Sequence, residues 1–258
     1  NDNGQRALAN NSACYTEKPD MGIFMDEWKS LYESKSGERG IFNRASANKM
    51  AEKTGRRQIE GHEFGTNPCS EIILRDREFC NLSECVVRPT DTRETLLKKV
   101  ELATIIGTFQ STLTNFKYVS SAWKRNCEEE RLLGVSLTGI MDCKLTNGKS
   151  GDLEKLLTDL REVAVETNKK WAKKLGINQS VSITCVKPSG TVSQLVDAAS
   201  GIHARHNPYY IRTVRGDKKD PLTQMMVDAG FPVEDDVMNP SHTAVFSLPM
   251  KVDKGAVF

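Results

Sequence analysis

The sequence predicts an α/β fold with parallel strand pairing. Two long segments, residues 91–116 and 152–175, repeat apolar side chains at three- and four-residue steps, which is the spacing of an amphipathic helix. Three shorter apolar segments, residues 79–87, 132–137 and 181–186, have the length and composition of buried strands. Because strands alternate with helices of ten or more residues, parallel strands joined by helices are the expected architecture.

Shorter elements precede residue 79. Residues 20–35 predict a helix, with Asp20 as the cap whose carboxylate accepts hydrogen bonds from the first free backbone N–H groups. A glycine-containing turn at residues 36–40 and a short strand at residues 41–43 follow. Residues 48–65 are polar and interrupted by glycine, so we expect a surface excursion there.

The later elements have recognisable faces and ends. The apolar face of the helix at residues 91–116 consists of Leu96, Leu97, Val100, Ala103, Ile106, Phe109 and Leu113. The helix at residues 152–175 stops at Gly176, a residue type that commonly closes a helix. A final helix at residues 221–229, ended by Gly230, and a strand near residues 245–248 complete the pattern.

Composition indicates a soluble globular protein. The chain has 258 residues, of which 38% are hydrophobic and 27% charged. A net charge of +2 is too small to imply a nucleic-acid partner. No apolar run approaches the roughly 20 residues that span a bilayer, and the start shows no signal-peptide pattern. We therefore expect a cytoplasmic protein with neither a membrane nor a nucleic-acid partner.

The cysteines predict a reducing compartment. Their number is odd and their spacing irregular, unlike the paired cysteines of a secreted disulfide scaffold. They are Cys14, Cys69, Cys80, Cys85, Cys127, Cys143 and Cys185. A zinc site would need a second close pair beside Cys80 and Cys85, which the sequence lacks. We expect one or two catalytic thiols and a remainder in the core. The expected core cysteines are Cys85, Cys127, Cys143 and Cys185.

The most informative stretch is Asn67-Pro68-Cys69-Ser70-Glu71, in which an amide, a thiol and a carboxylate alternate. If this stretch is extended, alternation sends Asn67, Cys69 and Glu71 to one face. That face would offer a hydrogen-bond donor, a redox-active sulfur and a base to one small substrate. The alternative is a buried structural cysteine beside a turn proline. A second thiol, Cys80, follows eleven residues after Cys69.

A second motif, Lys187-Pro188-Ser189-Gly190-Thr191, joins a predicted strand to a predicted helix. Free backbone N–H groups at the start of a helix, together with the helix dipole, favour an anion at this point. The alternative is an ordinary strand-to-helix turn with a serine or threonine as the cap. The motif is not a Walker loop, because the Gly-Lys-Ser/Thr core is absent.

Together these motifs resemble those of the ribonucleotide reductases, and they occur in that family's order. The matching segments are Asn67-Pro68-Cys69-x-Glu71, Phe79-Cys80-Asn81-Leu82-Ser83-Glu84, Lys187 to Gln194, Ser200-Gly201-Ile202-His203 and Tyr209-Tyr210-Ile211-Arg212. The resemblance implies a ten-stranded α/β barrel of two five-stranded halves, with a finger loop at about residues 64–80 threaded through its centre. Residues 1–258 would form the C-terminal portion of this one catalytic domain, and its N-terminal half would be absent from the chain.

The resemblance assigns roles to four side chains of the finger loop. Cys69 would carry the thiyl radical that removes hydrogen from the ribose, and Glu71 would accept the 3′-hydroxyl proton as general base. Asn67 would hydrogen-bond the ribose hydroxyls. Cys80 would be one half of a reducing dithiol, whose partner lies in the upstream half. The context of Cys14 does not resemble that partner.

The resemblance also places the substrate phosphates at about residues 187–194. Their ligands would be Pro188, Ser189, Gly190, Thr191 and Ser193. The nearby His203 and His206 are interpreted as solvated loop histidines, because no carboxylate or cysteine joins them at ligand spacing. Adjacent Tyr209 and Tyr210 are interpreted as packing residues.

The residues of the motifs favour one subtype of ribonucleotide reductase. The glycyl-radical type lacks an equivalent of Glu71. Residues 79–84, 133–139 and 201–212 look like the adenosylcobalamin-dependent ribonucleoside-triphosphate reductases, including phage-encoded forms. This implies adenosylcobalamin as the cofactor. The alternative is the catalytic subunit of a reductase that depends on a separate di-iron subunit.

The resemblance further implies several partners. These are a ribonucleoside triphosphate or diphosphate substrate, a dNTP or ATP effector, a thioredoxin-type reductant and the N-terminal half of the reductase. Two alternatives from other classes stay open. One is a non-catalytic barrel half, and the other is a generic thiol oxidoreductase, which predicts a Cys-x-x-Cys motif that the sequence lacks.

Overall fold

A computed structural model describes the chain at residues 11–35, 40–54, 63–149, 151–252 and 254–258. It is a mixed α/β structure, as the sequence predicts. Residues 36–39 of the expected turn and residues 55–62 of the expected surface excursion lie outside the described residues, so both expectations stay predictions there.

The described residues form seven helices and nine strands. The helices are α1 (Met21–Ser34), α2 (Arg44–Lys53), α3 (Arg93–Gln110), α4 (Ser121–Glu130), α5 (Leu153–Leu175), α6 (Thr191–Leu195) and α7 (Pro221–Asp228). The strands are β1 (Ser12–Tyr15), β2 (Gly40–Asn43), β3 (Gly65–Thr66), β4 (Ile73–Leu74), β5 (Asn81–Val86), β6 (Leu133–Thr138), β7 (Tyr209–Asp217), β8 (Val233–Asp235) and β9 (Thr243–Lys251). None of these helices combines the length and apolar character needed to cross a bilayer.

The core lies between a parallel strand pair and two long helices. β5 pairs with β6, from Asn81 opposite Leu133 to Val86 opposite Thr138. α3 packs against this pair and against α5, whose apolar side chains join the same buried cluster. The apolar side chains buried between the layers include Cys85, Val87, Leu96, Val100, Leu133, Val135, Leu156, Leu160 and Ile183. Removing them from water is the main force that holds these four elements together.

The predicted strand at residues 181–186 runs beside β6 without forming a regular strand. Val135 donates its N–H to the Ile183 carbonyl at 2.8 Å, and Cys185 donates to the Val135 carbonyl at 3.1 Å. A single parallel bridge links Val135 to Thr184. The ladder ends there, and Pro188, which has no N–H, follows shortly after. The prediction of a full strand was wrong, although the direction and position agree.

The helix predicted at residues 91–116 is shorter than expected. α3 begins after a capping box at Thr92 and ends at Gln110. Leu96 is fully buried, whereas Ile106 and Leu113 are 63% and 72% exposed. The predicted apolar face therefore continues beyond the part that α5 and the strands cover.

Predicted helix ends are confirmed at three places. Asp20 caps α1, and its Oδ1 accepts hydrogen bonds from Gly22 N at 2.8 Å and Ile23 N at 3.4 Å. Gly176 closes α5 with a φ of +66°, and Gly230 follows α7 with a φ of +79°. Glycine adopts this left-handed conformation at little steric cost.

The C-terminal sheet contradicts the expected parallel pairing. β7 pairs with β9 in antiparallel fashion, from Tyr209 opposite Lys251 to Asp217 opposite Thr243, and β8 pairs antiparallel on the other side of β9. The strand predicted near residues 245–248 is the middle of β9. A helix between two strands does not by itself require a parallel crossover, which is why the alternation of elements misled the prediction here. Tyr209 and Tyr210 begin a strand.

Two polar helices were missed by the sequence reasoning. α2 replaces part of the expected surface excursion and buries only Ala47 and Ala51. α4 buries Cys127 and the carboxylate residue Glu130. Both lack a broad apolar face, so hydrophobic periodicity does not reveal them.

Candidate functional site

The central motif forms the tip of a short hairpin. β3 and β4 pair antiparallel, with Thr66 opposite Ile73. Between them, Ser70 N donates to the Asn67 carbonyl at 2.9 Å, which closes a tight turn with Pro68 and Cys69 at its corners. The expectation of an extended segment was wrong, because the proline and this hydrogen bond reverse the chain.

The turn nevertheless brings the amide and the carboxylate together. Asn67 Nδ2 donates to Glu71 Oε1 at 2.5 Å, and Asn67 Oδ1 accepts from Ile72 N at 3.1 Å. Asn67 is thus held at both ends of its side chain. Cys69 lies exposed at the apex of the turn, where its sulfur is accessible to a substrate or cofactor. We call Asn67, Cys69 and Glu71 the hairpin tip.

Lys187 connects the hairpin tip to the second motif. Its Nζ lies 2.9 Å from Glu71 Oε1, and it also hydrogen-bonds Cys69. Burial opposes the charge of this ammonium group, but the hydrogen bond and negative charge of Glu71, followed by those of Cys69, raise the pKa of Lys187 above its usual value. Lys187 therefore stays protonated at neutral pH. The two motifs, distant in the sequence, share one site.

Glu71 is the most deeply placed charged group of the tip. Its side chain is 2% exposed, compared with 23% for Lys187. Oε1 accepts from both Asn67 and Lys187, whereas the buried Oε2 has no hydrogen-bond partner among the described residues. A buried carboxylate oxygen without a donor is costly unless a ligand supplies one.

Two further thiols lie near Glu71. Burial, with a contribution from Glu71, raises the pKa of Cys80, so this residue is a neutral thiol at physiological pH. Burial first, then Glu71 and Cys80, raises the pKa of Cys185 to about 12. Cys185 is only half-buried and adjoins the site, so its assignment to the core was wrong. Cys85, Cys127 and Cys143 are buried, as predicted.

The close approach of Cys185 depends on a glycine. A Cβ at Gly134 would lie 3.2 Å from the Cys185 sulfur and 2.5 Å from a methyl group of Leu82. A strand residue without a side chain therefore lets these groups meet above β6. No feature of the sequence around Cys185 indicates this, since Gly134 lies on another strand.

The second motif is a compact loop before a one-turn helix. Ser189 is buried, and its Oγ has no hydrogen-bond partner among the described residues. Gly190 and Thr191 are exposed, and α6 begins at Thr191. Ser193 is fully buried and donates to the Gly190 carbonyl at 2.7 Å. The assignment of Pro188, Ser189, Gly190, Thr191 and Ser193 to phosphate stays a prediction.

Gly201 supports this loop from below. Its φ is +54°, and a Cβ added there would lie 3.0 Å from the Lys187 carbonyl oxygen and 3.4 Å from Ser189 N. Both the left-handed conformation and the close approach require glycine. The glycine of the Ser200-Gly201-Ile202-His203 segment thus has a structural reason in this chain.

The segment after the loop is anchored by a buried ion pair. Arg205 forms two contacts of 3.0 Å with the Asp142 carboxylate, which also accepts from Ala199 N at 2.7 Å. Burial opposes the charge of Arg205, but the hydrogen bonds that it donates to Asp142 and Asp197 outweigh this effect and raise the pKa of Arg205. The arrangement fixes the return of the chain toward β7.

The two histidines of this segment do not form part of the candidate site. His203 and His206 are exposed; His203 Nδ1 lies 3.1 Å from the Ser200 carbonyl, and His206 packs edge-on against Tyr210. Within the described ranges, no three His, Cys, Asp or Glu side chains gather as a set of metal ligands.

A second charged cluster lies at the base of the same hairpin. Arg75 is fully buried and contacts Glu129 at 3.0 Å, Glu78 at 3.4 Å and Glu130 at 3.7 Å. Burial, followed by the charge of Glu130, raises the pKa of Glu78 to about 8. Arg75 Nη2 also donates to the Asn126 carbonyl at 2.9 Å. We call Arg75, Glu78, Glu129 and Glu130 the hairpin base, which joins the hairpin to α4.

Comparison with known proteins gives one consistent result. No protein-family model matches the chain. Curated relatives include three that are named adenosylcobalamin-dependent ribonucleoside-triphosphate reductase. The relative from Lactobacillus gasseri is 29% identical over 242 residues, covering 84% of this chain and 32% of the relative. That from Lactobacillus delbrueckii subsp. bulgaricus is 30% identical over 217 residues, covering 75% and 29%. That from Lacticaseibacillus paracasei is 28% identical over 248 residues, covering 86% and 33%.

A solved structure agrees with these sequence relatives. The fold resembles a crystal structure of a B12-dependent (class II) ribonucleotide reductase with a TM-score of 0.61 and 29% identity. The match covers 73% of this chain and 29% of that chain. The resemblance noted from the motifs is confirmed, and the chain spans about a third of the length of the relatives it matches.

Proposed function

We propose that the chain, which is homologous to a segment of the adenosylcobalamin-dependent (class II) ribonucleotide reductases, contributes the catalytic thiol and the substrate-phosphate loop of such an enzyme. The reaction would be the reduction of ribonucleotides to 2′-deoxyribonucleotides for DNA synthesis. The names of the relatives favour a ribonucleoside triphosphate as substrate and adenosylcobalamin as cofactor.

The observation that carries this proposal is the contact between the two motifs. Lys187, at the start of the phosphate-type loop, binds both Glu71 and Cys69 of the hairpin tip. A nucleotide whose phosphates lie at residues 188–193 would place its ribose near the tip. Thiol, base and amide are then available to one sugar, as the chemistry requires.

The proposed chemistry is balanced within the site and its reductant. The Cys69 thiyl takes the hydrogen atom from the ribose 3′ carbon, and Glu71 takes the 3′-hydroxyl proton. The 2′-hydroxyl then leaves as water. Two electrons and two protons come from a dithiol of which Cys80 is one half, and this dithiol becomes a disulfide. Glu71 returns its proton to the 3′ oxygen, and Cys69 returns its hydrogen atom to the 3′ carbon.

Adenosylcobalamin fits this arrangement through Cys69. An exposed sulfur at the apex of a turn is accessible to a cofactor that another part of the protein holds. When bound, the cofactor supplies the unpaired electron that Cys69 then carries. Every later step uses side chains of this chain and the reductant.

The architecture that we infer follows from the same homology. The hairpin at about residues 64–80 would be the finger loop, and β5, β6 and the segment at residues 181–186 would be strands of the C-terminal half of the barrel. The N-terminal half, supplied by another part of the enzyme, would provide the partner thiol of Cys80 and the effector site. A thioredoxin-type protein would regenerate the dithiol.

The competing interpretation is a barrel half without catalytic function. A scaffold has no need for an exposed thiol beside an ion pair between an ammonium group and a buried carboxylate. The hairpin tip is therefore explained better by chemistry than by packing.

The test is a nucleotide-reduction assay with adenosylcobalamin and dithiothreitol, on the chain together with the remaining length of the reductase. Cys69→Ser should abolish product, because a hydroxyl does not carry the radical. Cys14→Ser changes another exposed thiol and serves as the matched control. Product from Cys69→Ser at the wild-type rate would contradict the proposal, and product formed without cobalamin would indicate a separate radical-generating subunit.

A further inference from the structure

We propose that Lys187 is a positioning residue of this site: its ammonium group holds Glu71 so that Oε2, rather than Oε1, is the oxygen that accepts the substrate proton. The inference rests on the proposed function and extends it to a residue outside the two expected ligand sets. It assigns the proton to one atom of the carboxylate.

The two carboxylate oxygens of Glu71 have different surroundings. Oε1 accepts from Asn67 Nδ2 at 2.5 Å and lies 2.9 Å from Lys187 Nζ. Two donors on one oxygen occupy its lone pairs and fix its direction. Oε2 is buried and has no donor among the described residues. Oε2 is therefore the oxygen that is available to an incoming hydroxyl group.

The position of Lys187 suits this role better than direct catalysis. Its ammonium group stays charged at neutral pH, so it neither gives nor takes a proton during the reaction. It reaches the tip from the loop at residues 187–190, whose backbone Gly201 supports. Glu71 is thereby held from two elements, by Asn67 within the hairpin and by Lys187 from the loop.

Lys187 also affects Cys69, which provides a readout that is independent of turnover. The ammonium group hydrogen-bonds the Cys69 side chain, so it lies against the sulfur that an alkylating reagent must reach. Replacing Lys187 should therefore change the rate at which Cys69 is alkylated.

The variants are Lys187→Met, Lys187→Arg and Glu71→Gln, with Lys99→Met as the matched control. Lys99 pairs with the largely buried Asp91 at 2.6 Å and is itself partly exposed, so it repeats the geometry away from the tip. Lys187→Arg retains the charge and a donor, and it should restore part of what Lys187→Met loses.

The first readout uses the chain alone. The rate of iodoacetamide alkylation of Cys69, followed by peptide mass spectrometry at pH 8, should change by about threefold or more in Lys187→Met, because the contact between the ammonium group and the sulfur is lost. It should be unchanged in Lys99→Met. Equal alkylation rates in Lys187→Met and the wild type would mean that Lys187 does not contact Cys69, and the inference would fail.

The second readout is the separation of kcat from KM in the reconstituted reductase. Lys187→Met should lower kcat by about 10- to 100-fold, the scale of one lost charge-assisted hydrogen bond, with KM nearly unchanged. In the Glu71→Gln background the same change should have little further effect, because no carboxylate remains to be positioned.

Two outcomes would overturn the inference while the proposed function stands. A raised KM with unchanged kcat would make Lys187 a phosphate ligand. If the effects of Lys187→Met and Glu71→Gln on kcat were fully additive, the two residues would act independently. If the wild type reduces no nucleotide, the proposed function and the role of Oε2 both fail, and the alkylation rates show whether the contact with Cys69 exists.

Discussion

The two ends of the hairpin differ in how they bury charged side chains. At the base, Arg75 has no exposed side-chain surface and lies among Glu78, Glu129 and Glu130. At the tip, the partly exposed Lys187 faces a single buried carboxylate, Glu71. The two cations thus have different surroundings: among the described residues, Arg75 contacts three acidic side chains, whereas Lys187 contacts one.

The two clusters also differ in the groups that they leave exposed. At the hairpin base, Arg75 Nη2 donates a hydrogen bond to the Asn126 carbonyl, and Phe79 N donates one to the Cys127 sulfur. These bonds join the hairpin to α4. At the tip, the Cys69 thiol is exposed, whereas Arg75 at the base has no exposed side-chain surface. A rigid base helps an exposed tip to keep its shape.

The largest stability effect is expected from removing the cation at the base. Arg75→Met removes the cation that pairs with Glu129 and Glu130 and leaves their largely buried charges without it, so it should lower the free energy of unfolding by about 3–5 kcal/mol. Lys187→Met should cost only about 1–2 kcal/mol, because Asn67 continues to donate to Glu71. Urea denaturation of both variants measures the difference. Equal losses would mean that the tip is as structural as the base.

The base should also make stability depend on pH. The pKa of Glu78 is raised from 4.5 to about 8 in the folded protein. Between these values the folded state holds a proton that the unfolded chain has lost, so the free energy of unfolding falls as pH rises. The slope approaches about 1.4 kcal/mol per pH unit and levels off above the folded pKa.

Glu78→Gln is the variant that checks this slope. It should remove most of the decline between pH 5 and about 8 and be close to the wild type in stability at low pH, where Glu78 is also neutral. Urea titrations at several pH values give the comparison. A wild-type slope that persists in Glu78→Gln would place the titrating group elsewhere.

A smaller effect is expected beneath the tip. Gly201→Ala must place a Cβ 3.0 Å from the Lys187 carbonyl at a φ of +54°, which should cost about 1–2 kcal/mol. Because the displaced backbone carries Lys187 and Ser189, nucleotide reduction should fall by more than the loss of folded protein explains. A loss of activity equal to the unfolded fraction would mean that the loop only stabilises the fold.

The smallest effect concerns the aromatic contact beside the base. Phe79 stacks on Trp123 of α4 with ring centroids 4.4 Å apart. Trp123→Leu should lower the free energy of unfolding by about 1 kcal/mol and leave the rate of the folded enzyme unchanged. Trp171→Leu, which loosens a contact with Phe109 outside the hairpin, is the control. A selective loss of activity in Trp123→Leu would extend the functional region to the base.

Much of the fold could be predicted because its core elements have strong periodic patterns. β5, β6, α3 and α5 follow from apolar spacing, and Gly176 marks a helix end. The antiparallel sheet of β7, β8 and β9 could not be predicted, since the order and direction of strands depend on contacts distant in the sequence. α2 and α4 have too few buried apolar residues to show a pattern.

The sequence predicts the residue types of the candidate site but not their geometry, and the roles of these residues stay predictions. Asn67, Cys69 and Glu71 would share one face if the segment were extended, whereas a turn brings Asn67 and Glu71 into contact. The contact of Lys187 with Glu71 and the position of Cys185 were missed. Both depend on which loop packs against the hairpin, and no local pattern in the sequence records that.

The most direct test compares the two buried glutamates of the hairpin in the nucleotide-reduction assay. Glu71→Gln removes a base at the tip and should lower the rate by about 100-fold or more, the scale of lost general-base catalysis. Glu78→Gln at the base should stay within about threefold of the wild type at pH 7, where Glu78 is already neutral. Equal rates for Glu71→Gln and the wild type, or equal losses in both variants, would contradict a catalytic tip on a structural base.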